Sequence, residues 1–96
     1  MTPEFHSAAE RELAAAVEIG EARAIGLGLE LLHEARRVVS LLCERPHLGE
    51  PLDRLHRRFP LKRFPFAVLY RVNGDRLRVI AVAHRRQRPE YWRGRE

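Results

Sequence analysis

The chain has a single cysteine, a single tryptophan and two tyrosines, and of its 18 basic side chains only Lys62 is a lysine. The lone thiol, Cys43, excludes an internal disulfide and any multi-cysteine metal site. Set in an apolar helical stretch, it reads as a packed and inert residue of a reducing cytoplasm. His6, His33, His47 and His56 fall in different segments without ligand spacing, so no metal centre is expected. Long hydrophobic runs are missing as well. Val79–Ala83 falls far short of the ~18–20 apolar residues that cross a bilayer, so neither a membrane span nor a signal peptide is expected. Gly26-Leu27-Gly28 lacks the preceding strand that a phosphate-cradling loop requires, and no Ser/His/Asp pattern is present. No cofactor is implied. A chain of 96 residues suits one domain, residues 1–96, with no room for a second catalytic lobe.

Acidic residues also thin out along the chain. Residues 1–56 hold 6 basic and 10 acidic side chains, a balance of −4, whereas residues 57–96 hold 12 basic and 3 acidic, a balance of +9. Arginine bias in composition does not account for that asymmetry. A dense positive region draws in phosphates, acidic protein segments or anionic surfaces at long range, so a polyanionic partner is the first functional expectation.

Periodicity divides the chain into a helical half and an extended half. Ser7 followed by Glu10 fits a capping box, and Ala9, Leu13, Ala16, Val17 and Gly20 then recur at helical spacing. A turn is expected near Ala24–Gly28, and a second helix from about Leu27 to Glu44, with Leu31, Ala35, Val38 and Leu42 on one stripe and Pro46 ending it. Two apolar stripes joined by a short connection make an antiparallel helical hairpin. Thr2–His6 is available as an edge strand, and Pro46–Leu55 reads as a loop. Strands are expected at Leu61–Phe64, Phe66–Val72 and Arg76–His84, with Asn73-Gly74 as the two central residues of a type I′ turn. That register places Phe66, Val68, Tyr70, Leu77, Val79 and Ala81 on the helix-facing side. Leu69, Arg71, Arg76, Arg78, Ile80, Val82 and His84 go to a mixed, basic outer side. The fold class is therefore α+β: a helical hairpin on one face of a small, mostly antiparallel sheet of three or four strands. Pro89, Tyr91 and Trp92 are expected to dock the residues that follow.

The helical hairpin, Pro46-His47-Leu48-Gly49-Glu50-Pro51, Arg57-Arg58-Phe59, Phe66–Val72 and Val79–His84 with Arg85-Arg86 together resemble the RelE/ParE toxin family, and Phe5–Leu13 looks like that family's first strand and helix start. The resemblance covers nearly the whole chain and rests on the order and spacing of these segments. It implies the toxin of a type II toxin–antitoxin module of the plasmid-stabilisation type, cytoplasmic, neutralised by a cognate antitoxin and able to form a toxin–antitoxin hetero-oligomer. Two targets are open within the family. RelE-like members cut messenger RNA in the ribosome, whereas ParE-like members poison DNA gyrase.

Metal-independent RNA cleavage needs a base near the 2′-hydroxyl, an acid near the leaving oxygen and cations around the phosphorane. Candidates for those roles are Arg63, Arg71, His84, Arg86 and Tyr91. RNA-cleaving relatives carry an arginine three residues before the strand tyrosine, a place held here by Ala67 before Tyr70, and Arg71 lies roughly 13 Å further along an extended strand. The run Arg58–Lys62 matches their preceding strand only in part. His84 also reads as a structural strand-end residue, and Tyr91-Trp92 as an anchor. The expectation is accordingly a non-enzymatic, ParE-like toxin that binds DNA gyrase. The alternatives are a ribosome-dependent endoribonuclease and a small nucleic-acid-binding protein unrelated to toxins. Arg57, Arg58, Lys62, Arg63, Arg71, Arg76, Arg78, Arg85, Arg86 and Arg88 are the expected target- or antitoxin-binding residues.

Overall fold

A computed structural model describes all 96 residues. The chain runs β1 (Thr2–Phe5), α1 (Ser7–Arg23), α2 (Leu27–Glu44), β2 (Glu50–Pro51), β3 (His56–Pro60), β4 (Phe66–Asn73) and β5 (Arg76–His84). Both helices start differently from the simplest capping rules. His6, not Ser7, is the N-cap of α1: its backbone is extended and its Nδ1 accepts the Ala8 amide at 3.0 Å, so the expected Ser7–Glu10 box is replaced by an imidazole cap. Gly26 opens α2 with φ of 86° and has no side chain to cap with. Glu21 of α1 does it instead, accepting the amides of Gly26 and Leu29 at 3.1 Å each. Those amides hold the Glu21 carboxyl below its ordinary value.

Close approach of the helices depends on two glycines. A Cβ on Gly28 would press into the Val17 carbonyl oxygen and lie 2.7 Å from Glu21 Cγ, and one on Gly20 would lie 3.1 Å from the Gly28 backbone. Contact at this crossing lets Leu31, Val38, Val39 and Leu42 of α2, with Ala9 and Ala16 of α1, reach one shared core.

The sheet has five strands in the order β1-β5-β4-β3-β2, one or two more than expected, and it is mixed because β1 runs parallel to β5. The strand expected at Leu61–Phe64 is a loop; the third strand lies earlier, at His56–Pro60, paired with β4 from Arg71 to Ala67. Leu61 is buried nonetheless, its amide donating to the Phe66 carbonyl at 2.9 Å. The β4–β5 turn is also one residue later than expected. Asn73 pairs with Arg76, leaving Gly74-Asp75 as the central pair, and positive φ falls on Gly74 (63°), the requirement of a type II′ turn.

A β-bulge then alters which face each β5 residue takes. Tyr70 pairs with Val79 but Leu69 pairs with Ala81, so Ile80 is the extra residue. Beyond it Val82 joins the helix-side core with Val68, Tyr70, Leu77 and Val79, while Ile80 and Ala81 join Ala67 and Leu69 on the outer face. The expected placement of Ala81 inside and Val82 and His84 outside is thereby reversed, and His84 meets Phe66 edge-on at 5.1 Å.

Gly28→Ala should destabilise the fold by about 1–3 kcal/mol, the usual range for overpacking against a backbone that cannot retreat. Urea denaturation monitored by circular dichroism checks this, with the parent chain as reference.

Candidate functional site

The outer face of the sheet is apolar at its centre, and residues 88–96 close over it. Trp92 is 5% exposed and packs on Ala67, Leu69, Ile80 and Ala81. Its ring centroid lies 4.7 Å from that of His56, and the Arg93 guanidinium lies 4.2 Å above it. β1 pairing ends where the His6 amide reaches the Val79 carbonyl, which leaves the next part of the β5 edge open. Two side chains fill that gap. Glu12 of α1 accepts the Val82 amide at 3.0 Å, and Arg95 donates to the Ile80 carbonyl at 3.1 Å while pairing with both Glu12 oxygens at 3.0 Å. A helix carboxylate and an arginine thus do the work of a missing strand, and they tie the closing segment to the core.

Four of the ten expected cations, Arg57, Arg63, Arg76 and Arg78, are engaged inside this framework. Arg57 donates to the His47 and Gly49 carbonyls and fixes loop 46–49, together with Tyr70, whose hydroxyl donates to the Pro46 carbonyl at 2.7 Å and accepts the Gly49 amide at 2.9 Å. Arg76 and Arg78 pair with Glu4, and Arg78 also reaches the Glu96 carbonyl. Arg63 pairs with Glu30 of α2, and the Lys62 amide donates to Glu34. Arg71 sits opposite Arg78 and His56 with its Nε enclosed and without a partner.

Arg58, Arg85, Arg86 and Arg88 make no ion pair. Arg58, Arg85 and Arg88 line an open cleft of about 360 Å³ between the sheet and the closing segment, with Leu52, His84 and Arg93 also on its walls. Arg58 and Arg85 continue into a second opening of about 460 Å³ that Lys62 and Arg63 border. Arg58, Arg85 and Arg88 therefore form one track across the end of β3 and β5, away from the Arg71 end of the sheet.

That arrangement presents guanidinium donors suited to an anion; it does not bring together the acid–base set expected for RNA cleavage. Arg71 lies on β4 opposite Arg78, whereas His84 ends β5 opposite Phe66, five β4 residues away or roughly 17 Å at strand rise. His84 Nδ1 accepts the Arg86 amide at 3.0 Å, so that nitrogen is engaged by the backbone. Burial, reinforced by the Glu12 carboxylate, pushes the Tyr91 phenol above its ordinary value, and Arg95 covers its ring at 5.0 Å. Ala67 is buried in the outer-face cluster that includes Trp92. Arg63 is held at the second opening, and Arg86 lines neither.

Three positioning residues escaped the sequence reading. Glu12 resembles any solvated helix acid, and its partner stands 83 positions away. Arg95 was one cation in a crowded run. Asp53 accepts the amides of Leu55 and His56 as an Asx turn and pairs with Arg93, which in turn reaches Glu90.

Arg93 first, then the turn amides and His56, hold the Asp53 carboxyl well below the ordinary carboxylate range. A depressed folded-state value means this pairing stabilises above the unfolded pKa of about 3.9 and is lost as pH falls from there toward the folded value. Trp92 is the only tryptophan, so its emission reports the closing segment. Emission should stay constant from pH 7 to 5 and shift to the red below about pH 4. Asp53→Asn should shift it already at pH 7 while changing global stability by no more than about 1 kcal/mol, because the pair is near the surface. A fluorescence pH titration of both proteins checks the two outcomes.

The sequence profile of the ParE toxin of type II toxin–antitoxin systems, parDE, matches residues 4–89. A solved structure of the chromosomal ParDE TA system from P. aeruginosa contains a chain that superposes with a TM-score of 0.75 at 18% identity, over 88% of this chain and 95% of that one. At that identity the superposition establishes a shared fold. No curated protein matches the chain in sequence. The profile takes in nearly the whole sequence, from β1 through the residues that carry the cationic track, and the protein belongs to the ParE family of toxins of type II toxin–antitoxin systems.

Proposed function

We propose that this toxin acts by binding DNA gyrase through its cationic outer surface, without breaking bonds itself, and that a cognate antitoxin neutralises it in the cytoplasm. The observation carrying this reading is the closure of the outer sheet face. Ala67, the site of the arginine carried by RNA-cleaving relatives, is buried in the same outer-face cluster as Trp92, and the remaining candidate groups are paired, distant or turned to structural roles. What stays accessible is a set of guanidinium groups suited to recognition. The gyrase assignment itself rests on the ParE family likeness. The third alternative, a binding protein unrelated to toxins, is set aside by the family match.

The antitoxin has a natural seat on the opposite side. A groove of about 490 Å³ runs between the helical hairpin and the loop before β4, with Ile19, Leu27, Phe64 and Phe66 on its walls and Arg23 and Arg63 at its rim. Ile19 is 56% exposed there. An amphipathic segment that orders on binding would bury its apolar face in this groove and set its carboxylates against the arginines.

Two assays run in parallel test the proposal. With purified gyrase, ATP and supercoiled plasmid, the toxin should accumulate cleaved DNA, and equimolar antitoxin should suppress it. In a translating extract the same toxin should leave messages intact. Transcripts cut at the ribosomal A site, with cutting abolished by Arg71→Ala, would overturn the gyrase reading.

A further inference from the structure

We infer that the cleft bearing Arg58, Arg85 and Arg88 is a binding site for the phosphodiester backbone of duplex DNA. The inference goes beyond the gyrase reading, which requires no contact between toxin and nucleic acid.

Two features of the cleft favour this ligand. The first is charge without compensation: Arg58, Arg85 and Arg88 have no carboxylate partner, whereas Arg76, Arg78, Arg93 and Arg95 around the same sheet face do. An unpaired guanidinium presents its full donor fork to a phosphate and gains entropy from counterion release when it binds one. The second is shape, because the charge continues past Arg58 and Arg85 into the adjoining opening, which gives a track and not a single pocket. The walls also carry Leu52, Pro89 and Tyr91, and Phe64 and Phe66 border the second opening, so an acidic peptide and a single strand are the competing ligands that the measurement must exclude.

Binding is measured by fluorescence anisotropy of a labelled 20-base-pair duplex of mixed sequence against the full chain, at a series of salt concentrations. Contact with three phosphates gives a slope of log K on log salt of about −2.7, which is about a 40-fold loss between 50 and 200 mM. Arg85→Gln with Arg88→Gln should reduce the slope to about −0.9. Arg36→Gln with Arg45→Gln removes the same charge from exposed positions at α2, away from the cleft, and should leave the slope near that of the parent. Circular dichroism confirms that each variant is folded. Equal weakening by both pairs would make the attraction a property of net charge and overturn the site. So would absence of duplex binding, tighter binding of a single strand of the same length, or preference for poly-glutamate. Gyrase poisoning that survives without duplex binding removes this inference alone, and duplex binding without gyrase poisoning removes the gyrase reading alone.

Discussion

The carboxylate of Glu12 joins three parts of the molecule at one point. It stands on α1, accepts the Val82 amide of the exposed β5 edge and pairs through both oxygens with Arg95, whose guanidinium also reaches the Ile80 carbonyl. Backbone groups on an open edge need partners or water, and an uncovered edge invites pairing with other chains. Here the partners are side chains. Because one of them lies in the last residues, closing the edge and docking the closing segment are a single event.

The bulge at Ile80 makes that docking necessary. By turning Ile80 and Ala81 to the outer side together, it builds an apolar patch with Ala67 and Leu69 that Trp92 then removes from water. The consequence reaches function. The outer sheet face is occupied at its centre, and Arg58, Arg85 and Arg88, which make no ion pair, stand at its β3–β5 end. The proposed role in recognition by charge rests on this arrangement.

Much of the fold was legible because helical and strand periodicities are strong local signals. Helix 2 was bounded at Leu27 and Glu44 by Gly26 and Pro46, and β5 was bounded at Arg76 and His84, both as observed. The misses share a physical cause, which is that partners distant in sequence decide them. β3 was sought at Leu61–Phe64, where apolar residues cluster, yet the strand is His56–Pro60, whose arginine stems lie along the sheet while Phe59 packs inward. The bulge leaves no mark in composition, and a one-residue change in register exchanges inside for outside. His6 displaced Ser7 as cap because imidazole Nδ1 is an acceptor, a role that capping preferences rarely weight. Of the candidate site, the concentration of charge was visible, but which arginines were already engaged depended on Glu4, Glu12, Glu30 and Asp53, each far away in the chain.

Closure of the outer face by the Glu12–Arg95 clasp is the central claim, and native-state hydrogen exchange at the Val82 amide tests it most directly. The account predicts that Val82 exchanges as slowly as the paired amides inside β4 and β5, and that Glu12→Gln accelerates it together with loss of Trp92 burial. Exchange of Val82 at the rate of an exposed turn amide in the parent protein, or no change in either readout on Glu12→Gln, would contradict it.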